Sequence, residues 1–356
     1  MGRLFHFPGA MRPRVFTQVR NYASGTEAIP TFSQTPSSEL NQALDRFRQN
    51  VFIPAGLPQR QRMSMFKAKH AHRLEEEPIT VNISETEQFT LRHMKMDELP
   101  TKRDAYKVFQ MMTSTKEYKN LIPFLKGLWM SNYRISSDRW ESLIRHAGPA
   151  GKLNLIIECA KQQAQTGLAF DNISLTRRLF FELHCMAQAA DFKGPAAAQA
   201  LGLAHTAVRT MEWNSSQTQI EASKDPKRQP FVIGTLLELS AARAVNEIEG
   251  KDEGAEVLKF VQKLLASWDL GQFEPVLEGK SRPREALDLW LQEVIPVYNG
   301  LQMSLLVKRI SSDKKLSPIV TSRLQGLKDI LSEHVQSADQ AKPSRCLNMA
   351  KSLLSA

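Results

Sequence analysis

Residues 137–171 read SDRWESLIRHAGPAGKLNLIIECAKQQAQTGLAFD. Trp140, Leu143 and Ile144 fall at three- and four-residue spacing, the period of an amphipathic helix. The chain turns through Gly151, resumes the same period through Ile157 and Ala160, and closes on Gly167 and Asp171. Glycine between periodic runs marks a turn, so the stretch predicts two antiparallel helices. One such hairpin cannot cover its own apolar face, so similar neighbours must stack on it.

The pattern extends in both directions. Arg103–Ser136 is a looser copy, with Tyr106, Met111 and Met112 in the first helix and Tyr118, Leu121, Phe124, Leu125 and Leu128 in the second. Asn172 to Asn214 forms a longer pair with Leu175, Leu179 and Phe180 facing inward. From about Leu99 onward the period predicts helices over 102–113, 116–131, 137–147, 151–167, 172–190, 195–213, 231–249, 252–268, 283–310, 317–338 and 343–354. Pro195 and Pro283 suit first-turn positions, and Pro296 is expected to kink or split its helix. The polar stretch Asn214–Pro230 is the expected internal boundary. The fold class is therefore all-α, an α-solenoid of antiparallel helical hairpins.

The N-terminal quarter differs. Residues 1–23 carry Arg3, Arg12, Arg14 and Arg20 and no acid, with apolar residues between them. That is the pattern of a mitochondrial transit peptide, drawn inward by a matrix-negative potential. Arg20, Tyr22 and Ala23 match an Arg two residues before an aromatic with cleavage close behind, so the expected location is the mitochondrial matrix. Residues 24–98 are expected to be a linker and flexible basic arm, with a short helix over 41–53 ending before Pro54. Arg60, Arg62, Lys67, Lys69 and Arg73 follow one another without an acid until Glu75. This run is either an arm for an acidic partner or a solvated helix whose charges pair. Ile79, Val81 and Ile83 alternate over a run long enough for one isolated strand.

The 35 residues from Ser137 to Asp171 resemble a pentatricopeptide repeat: an aromatic, Leu-Ile, a mid-repeat Gly, a second helix, then Gly and a terminal Asp. With the resemblance placed on residues 99–213, the expected domains are a transit peptide (1–23), a linker and basic arm (24–98), the repeats (99–213), a linker (214–230) and a C-terminal helical-hairpin domain (231–356). In that family one residue of the first helix and the last residue of the repeat read an RNA base. The corresponding positions are Glu141 with Asp171, Lys107 with Ser136 and, in the overlong third repeat, Thr176 with Asn214. Two carboxylates at Glu141 and Asp171 oppose a passing phosphate backbone, which argues against code-like reading and for contact through basic surface.

Other chemistry lacks a constellation. Cys159, Cys185 and Cys346 are too widely spaced for a disulfide framework or a CxxC site, and His70 and His72 sit i, i+2, on different sides of a helix. No phosphate-binding, dinucleotide, zinc-protease or nucleophile-elbow motif occurs in the chain. No enzyme, cofactor or metal is expected, and no run of 18 uncharged apolar residues suggests a membrane span. The chain holds 47 Lys and Arg against 37 Asp and Glu, a net charge of +10. Arg60, Arg62, Lys67, Lys69, Arg177, Arg178, Lys227 and Arg228 are the expected phosphate contacts, with a further cluster at Lys308, Arg309, Lys314 and Lys315. The aromatics at helical spacing, Trp213 the least secure of them, are expected in the core. The expectation is a non-catalytic matrix protein binding mitochondrial RNA or the mitochondrial ribosome. The alternative is a scaffold that grips a protein partner during respiratory-complex assembly.

Overall fold

The computed structural model describes residues 29–84, 87–215, 221, 223–275, 283–338 and 344–355. Arg20, Tyr22 and Ala23 lie outside them. The chain divides into two compact units between Arg134 and Ile135.

Unit 1 begins with α1 (Ser38–Phe47), whose Ser37 cap accepts a hydrogen bond from the Leu40 N–H at 3.2 Å. The helix does not stop before Pro54. It passes through a π-helical turn, Arg48–Phe52, into α2 (Ile53–Gly56), where Pro54 occupies the first turn. Next come α3 (Gln59–Phe66), α4 (Ala71–Glu76), strands β1 (Thr80–Asn82) and β2 (Gln88–Thr90), then α5 (Lys102–Thr115) and α6 (Leu121–Met130). Phe47 and Phe109 meet the Phe124 ring edge-on at 5.2 and 5.4 Å, and Phe32 and Phe52 close on it from further out.

Three expectations change here. The strand at Val81 is not isolated but pairs antiparallel with β2, Val81 opposite Phe89. The expected 116–131 helix starts only at Leu121, because Lys116 takes a left-handed conformation (φ 57°) that caps α5. The expected flexible arm is folded over its described residues: Ile53, Leu57, Met65, Leu74, Val81, Leu91 and Met94 form a buried cluster. The Met94 N–H and the His93 ring tie to the Met65 carbonyl at 2.9 and 3.0 Å. Apolar residues spaced among the arm's cations drive this collapse, which a charge count overlooks.

Unit 2 holds α7 (Ser137–Ala147), α8 (Leu153–Lys161), α9 (Gln163–Thr166), α10 (Ile173–Gln188), α11 (Gly194–Ser215), α12 (Pro230–Glu247), α13 (Glu256–Ala266), α14 (Pro283–Ser304), α15 (Lys308–Ser311), α16 (Leu316–Ser337) and α17 (Arg345–Ser355). Among the described residues it contains no strand. The predicted turns fall where glycine takes positive φ, at Gly151 (67°) and Gly167 (76°). Helix α7 packs on α10, α10 on α12 and α12 on α14, while α8 packs on α11 and α13 on α12. The closest crossing is α12 against α14. A Cβ on Gly234 would lie 2.9 Å from the Val297 Cα, and one on Gly300 would lie 2.7 Å from the Gly234 carbonyl oxygen. Both positions therefore exclude any side chain.

Helix α14 runs unsplit through Pro296 and ends at Ser304, short of the expected residue 310. The boundary between units also departs from expectation. Helices on both sides of 214–230 pack together in unit 2, and the break at Arg134 separates two of the proposed repeats.

Candidate nucleic-acid interface

In unit 1, α3 and the turn after it expose Arg60, Arg62, Lys67 and Lys69 to solvent. Met65, near the end of the helix, is fully buried and anchors it. The following helix is different: His72 pairs with Glu76 at 3.1 Å, and Arg73 lies 4.0 Å from Glu77. The abrupt sign change in the sequence thus leaves α3 bare and neutralises α4. Lys107 is exposed but salt-bridged to Asp104 at 3.3 Å, one turn below the Thr101–Asp104 capping box.

In unit 2 the base-reading positions of the resemblance do not converge on an open face. Ser136 and Asp171 are exposed. Glu141 instead accepts the Arg178 guanidinium at 3.0 and 3.2 Å. Thr176 is fully buried, donating its hydroxyl to the Phe170 carbonyl at 3.3 Å. The two neighbouring arginines are turned inward as well. Arg177 binds Glu293 of α14 at 2.8 Å, and Arg178 also lies 3.7 Å from Glu182. Glu141, Thr176, Arg177 and Arg178 are therefore parts of the helix packing and not a surface for phosphate. Glu293 and Glu141 come from other helices, so no local pattern announces those two pairs; only Glu182 lies within reach on α10 itself.

These contacts belong to a polar seam running through the helix layer. Arg345 of α17 reaches Glu182 at 3.1 Å. His184 Nδ1 meets both oxygens of Glu238 on α12 at 2.8 Å, and Asn299 of α14 donates its amide to the same carboxyl. His184 and Glu238 are fully buried. Burial pushes the Glu182 carboxyl above its ordinary range even though Arg345 and Arg178 pull it down. Burial likewise raises the nearby thiols of Cys185 and Cys346, the latter to about 12, so neither is a ready nucleophile.

Lys227 and Arg228 behave differently. Asp225 caps their short turn, accepting the Lys227 N–H at 3.1 Å, and holds the Arg228 guanidinium at 3.6 Å. Around them opens a groove of about 970 Å³ whose cationic lining also includes Arg209 from α11 and Lys259 and Lys263 from α13. Sequence reasoning missed these three. Lys259 and Lys263 sit i, i+4, a spacing that places both on one helix face, but only the packing of α13 brings them to the loop. Glu212, Asp225, Glu256 and Asp269 share the lining, and a hydrogen bond from His205 at 2.9 Å lowers the Glu256 carboxyl. The groove is mixed in charge.

Trp140 and Trp290 are buried as expected, whereas Trp213, at the end of α11, is 84% exposed. The Lys308, Arg309, Lys314 and Lys315 cluster is exposed at α15 and the start of α16. Among the described residues no group of three or more His, Cys, Asp or Glu side chains is arranged to hold a metal ion. No described helix is long and apolar enough to cross a membrane.

Comparison with known proteins bears on both units. The small ribosomal subunit protein mS27 of Neurospora crassa is 23% identical over 261 residues, covering 68% of this chain and 66% of that protein, just under two thirds of its length. The family described as mitochondrial ribosomal protein mS27 matches from residue 14 to residue 352, through both compact units. This chain belongs to the mitochondrial ribosomal protein mS27 family.

Proposed function

We propose that this protein is a non-catalytic component of the mitochondrial small ribosomal subunit, working in the matrix as a helical scaffold that holds RNA or neighbouring proteins in place. The observation that carries this reading is the family match across residues 14–352. The arrangement of unit 2 agrees with a positional role: successive helices α7, α10, α12 and α14 pack on one another, with α8 and α11 behind them. We read this as a short solenoid of degenerate hairpins related in pattern to pentatricopeptide repeats. Two of its base-reading positions are given over to the packing, Glu141 to an ion pair with Arg178 and Thr176 to the core. RNA contact then falls to exposed cations, which neutralise phosphates without reading sequence. Arg60 and Arg62 of α3, Lys67 and Lys69 in the turn after it, and Arg228 beside the groove remain candidates for that contact.

Sedimentation of mitochondrial lysate containing the tagged full chain tests the reading. The protein should travel with the small subunit and shift to the top of the gradient after nuclease digestion. Sedimentation as a free protein, with intact small subunits elsewhere in the same gradient, would overturn it.

A further inference from the structure

Among the described residues a strongly cationic exposed edge lies at α15 and α16. Between Leu306 and Asp329 the chain carries Lys308, Arg309, Lys314, Lys315, Arg323 and Lys328 against two acids, Asp313 and Asp329. All six cations are exposed. Asp313 faces its own backbone: its Oδ1 accepts the Lys315 and Leu316 N–H groups at 2.8 and 3.0 Å, which starts α16 and lowers the carboxyl. Asp329, at the far end beside Lys328, accepts the Gln325 amide at 2.8 Å, and between Lys314 and Arg323 the sequence holds no acid. The run on α3 and α4, by contrast, ends in Glu75, Glu76 and Glu77.

Tertiary structure fixes this edge. The Lys308 N–H donates to the Gly250 carbonyl at 3.0 Å, pinning α15 to the turn after α12, and Val307 and Ile310 are fully buried beneath it. Along α16, Lys315, Ile319 and Arg323 follow at i, i+4 and i+8 and so share one stripe. Ile319 is 47% exposed, and Leu306, just before the cluster, is 63% exposed. Eleven residues after Lys315, three helical turns on, the same stripe passes Gly326, where a Cβ would meet nothing within 4 Å. The Arg323 guanidinium lies 4.9 Å from the Trp268 ring centre, which holds that cation in place.

We propose that the α15–α16 edge is a docking surface for the phosphodiester backbone of RNA. The inference deepens the ribosomal reading above and rests on it for biological context, while its physical argument is charge complementarity. Cations held on a helix stripe and an adjoining turn match a backbone of repeating negative charge, and each phosphate neutralised releases a counterion. Ile319 and Leu306 offer apolar surface to sugar or base faces between those contacts.

The test titrates the full chain with fluorescein-labelled oligouridylate of about 20 nucleotides at salt concentrations from about 50 to about 200 mM. One variant carries K308Q, R309Q, K314Q and K315Q; a control carries R60Q, R62Q, K67Q and K69Q, the same loss of charge on α3 and the turn after it. The edge variant should weaken binding at least roughly tenfold and reduce the log–log salt slope by roughly 2 to 3, about 0.7 for each phosphate no longer neutralised. The control should change the slope by less. An edge variant with the wild-type slope, or a control that weakens binding more, would refute the proposal. Should the fourfold variant fail to fold, K314Q and K315Q singly should each reduce the slope by about 0.7, and K314R should not. Gradient sedimentation separates this inference from the ribosomal reading. An edge variant that keeps its RNA affinity yet leaves the small-subunit fraction makes the edge a protein-binding surface and sinks the inference alone. A wild-type chain that binds RNA through the edge but never travels with the subunit upholds the inference and sinks the ribosomal reading.

Discussion

The two compact units bury different chemistry. In unit 1 the rings of Phe32, Phe47, Phe52 and Phe109 gather on Phe124, and the charged pair Arg48–Glu87 stays nearer the surface, with the Glu87 side chain 36% exposed. In unit 2 the packed helices enclose His184, Glu238, Asn299 and Glu182, each no more than 4% exposed. An apolar core is specified mainly by volume and shape and tolerates neighbouring solutions. A buried polar seam is not so forgiving, because each donor and acceptor needs its own partner. The seam links α10, α12, α14 and α17 at fixed positions, so it constrains which helices meet and in what register.

The largest expected effects test this contrast directly. His184→Ala leaves the Glu238 carboxyl buried with Asn299 as its remaining donor and should destabilise unit 2 by about 3–5 kcal/mol in chemical denaturation. Phe124→Ala should cost unit 1 a similar amount, about 3–5 kcal/mol, through its cavity. Leucine at the same two sites separates the cases. Phe124→Leu should cost only about 1–2 kcal/mol, since the replacement is still a large apolar side chain. His184→Leu should remain nearly as damaging as the alanine variant, and adding Glu238→Leu should recover most of the loss. Equal penalties for the two single leucine variants would break the comparison.

Acid should act with opposite sign through Glu87 of unit 1 and Glu182 of unit 2. The Arg48 guanidinium, 2.6 Å from both Glu87 oxygens, holds the Glu87 carboxyl below its ordinary 4.5. A carboxyl whose folded-state value is depressed contributes stability above its unfolded value and loses it as pH falls through the folded one. Glu87→Gln should therefore cost up to about 1 kcal/mol at neutral pH, a modest figure because solvent screens the exposed pair, and nothing once the acid form dominates. Glu182 is raised by burial, so its favourable contribution is complete below 4.5 and disappears as pH rises through its folded-state value. As pH falls through the folded-state value of Glu182, wild-type unit 2 should gain stability relative to Glu182→Gln. Hydrogen exchange in α10 and in residues 48–52 reads the two responses separately.

The same contrast explains how much of the molecule could be read in advance. Helices are local objects, and the apolar period with the first-turn prolines Pro195 and Pro283 marks most of them without any tertiary information. Ion-pair partners are not local. Arg177 finds Glu293 across 116 residues of chain, and Arg178 finds Glu141 across 37, so two cations that looked like surface are inside. The arm misled for a related reason. Its cations dominate the count, while Met65, Leu74 and Val81, too sparse to show a period, decide that it folds. The groove cations Lys259 and Lys263 form an ordinary helix face until α13 packs beside residues 225–228.

The smallest effect concerns neither core. Gly326 lies in the middle of α16 with space around it, so no neighbour demands its missing side chain there. A glycine in a helix interior costs about 0.5–1 kcal/mol relative to alanine through backbone entropy. Gly326→Ala should therefore stabilise the chain by about that amount, visible as a higher unfolding midpoint with unchanged cooperativity. Gly234→Ala is the matched opposite. The same added methyl would press on Val297 at 2.6 Å and should destabilise unit 2 by about 1–3 kcal/mol. If Gly326→Ala raised the midpoint but weakened oligouridylate binding, that glycine would be keeping the RNA-facing stripe low enough for a backbone to approach. If it raised the midpoint and left binding alone, the edge would work through its cations, and the open glycine would be incidental to it.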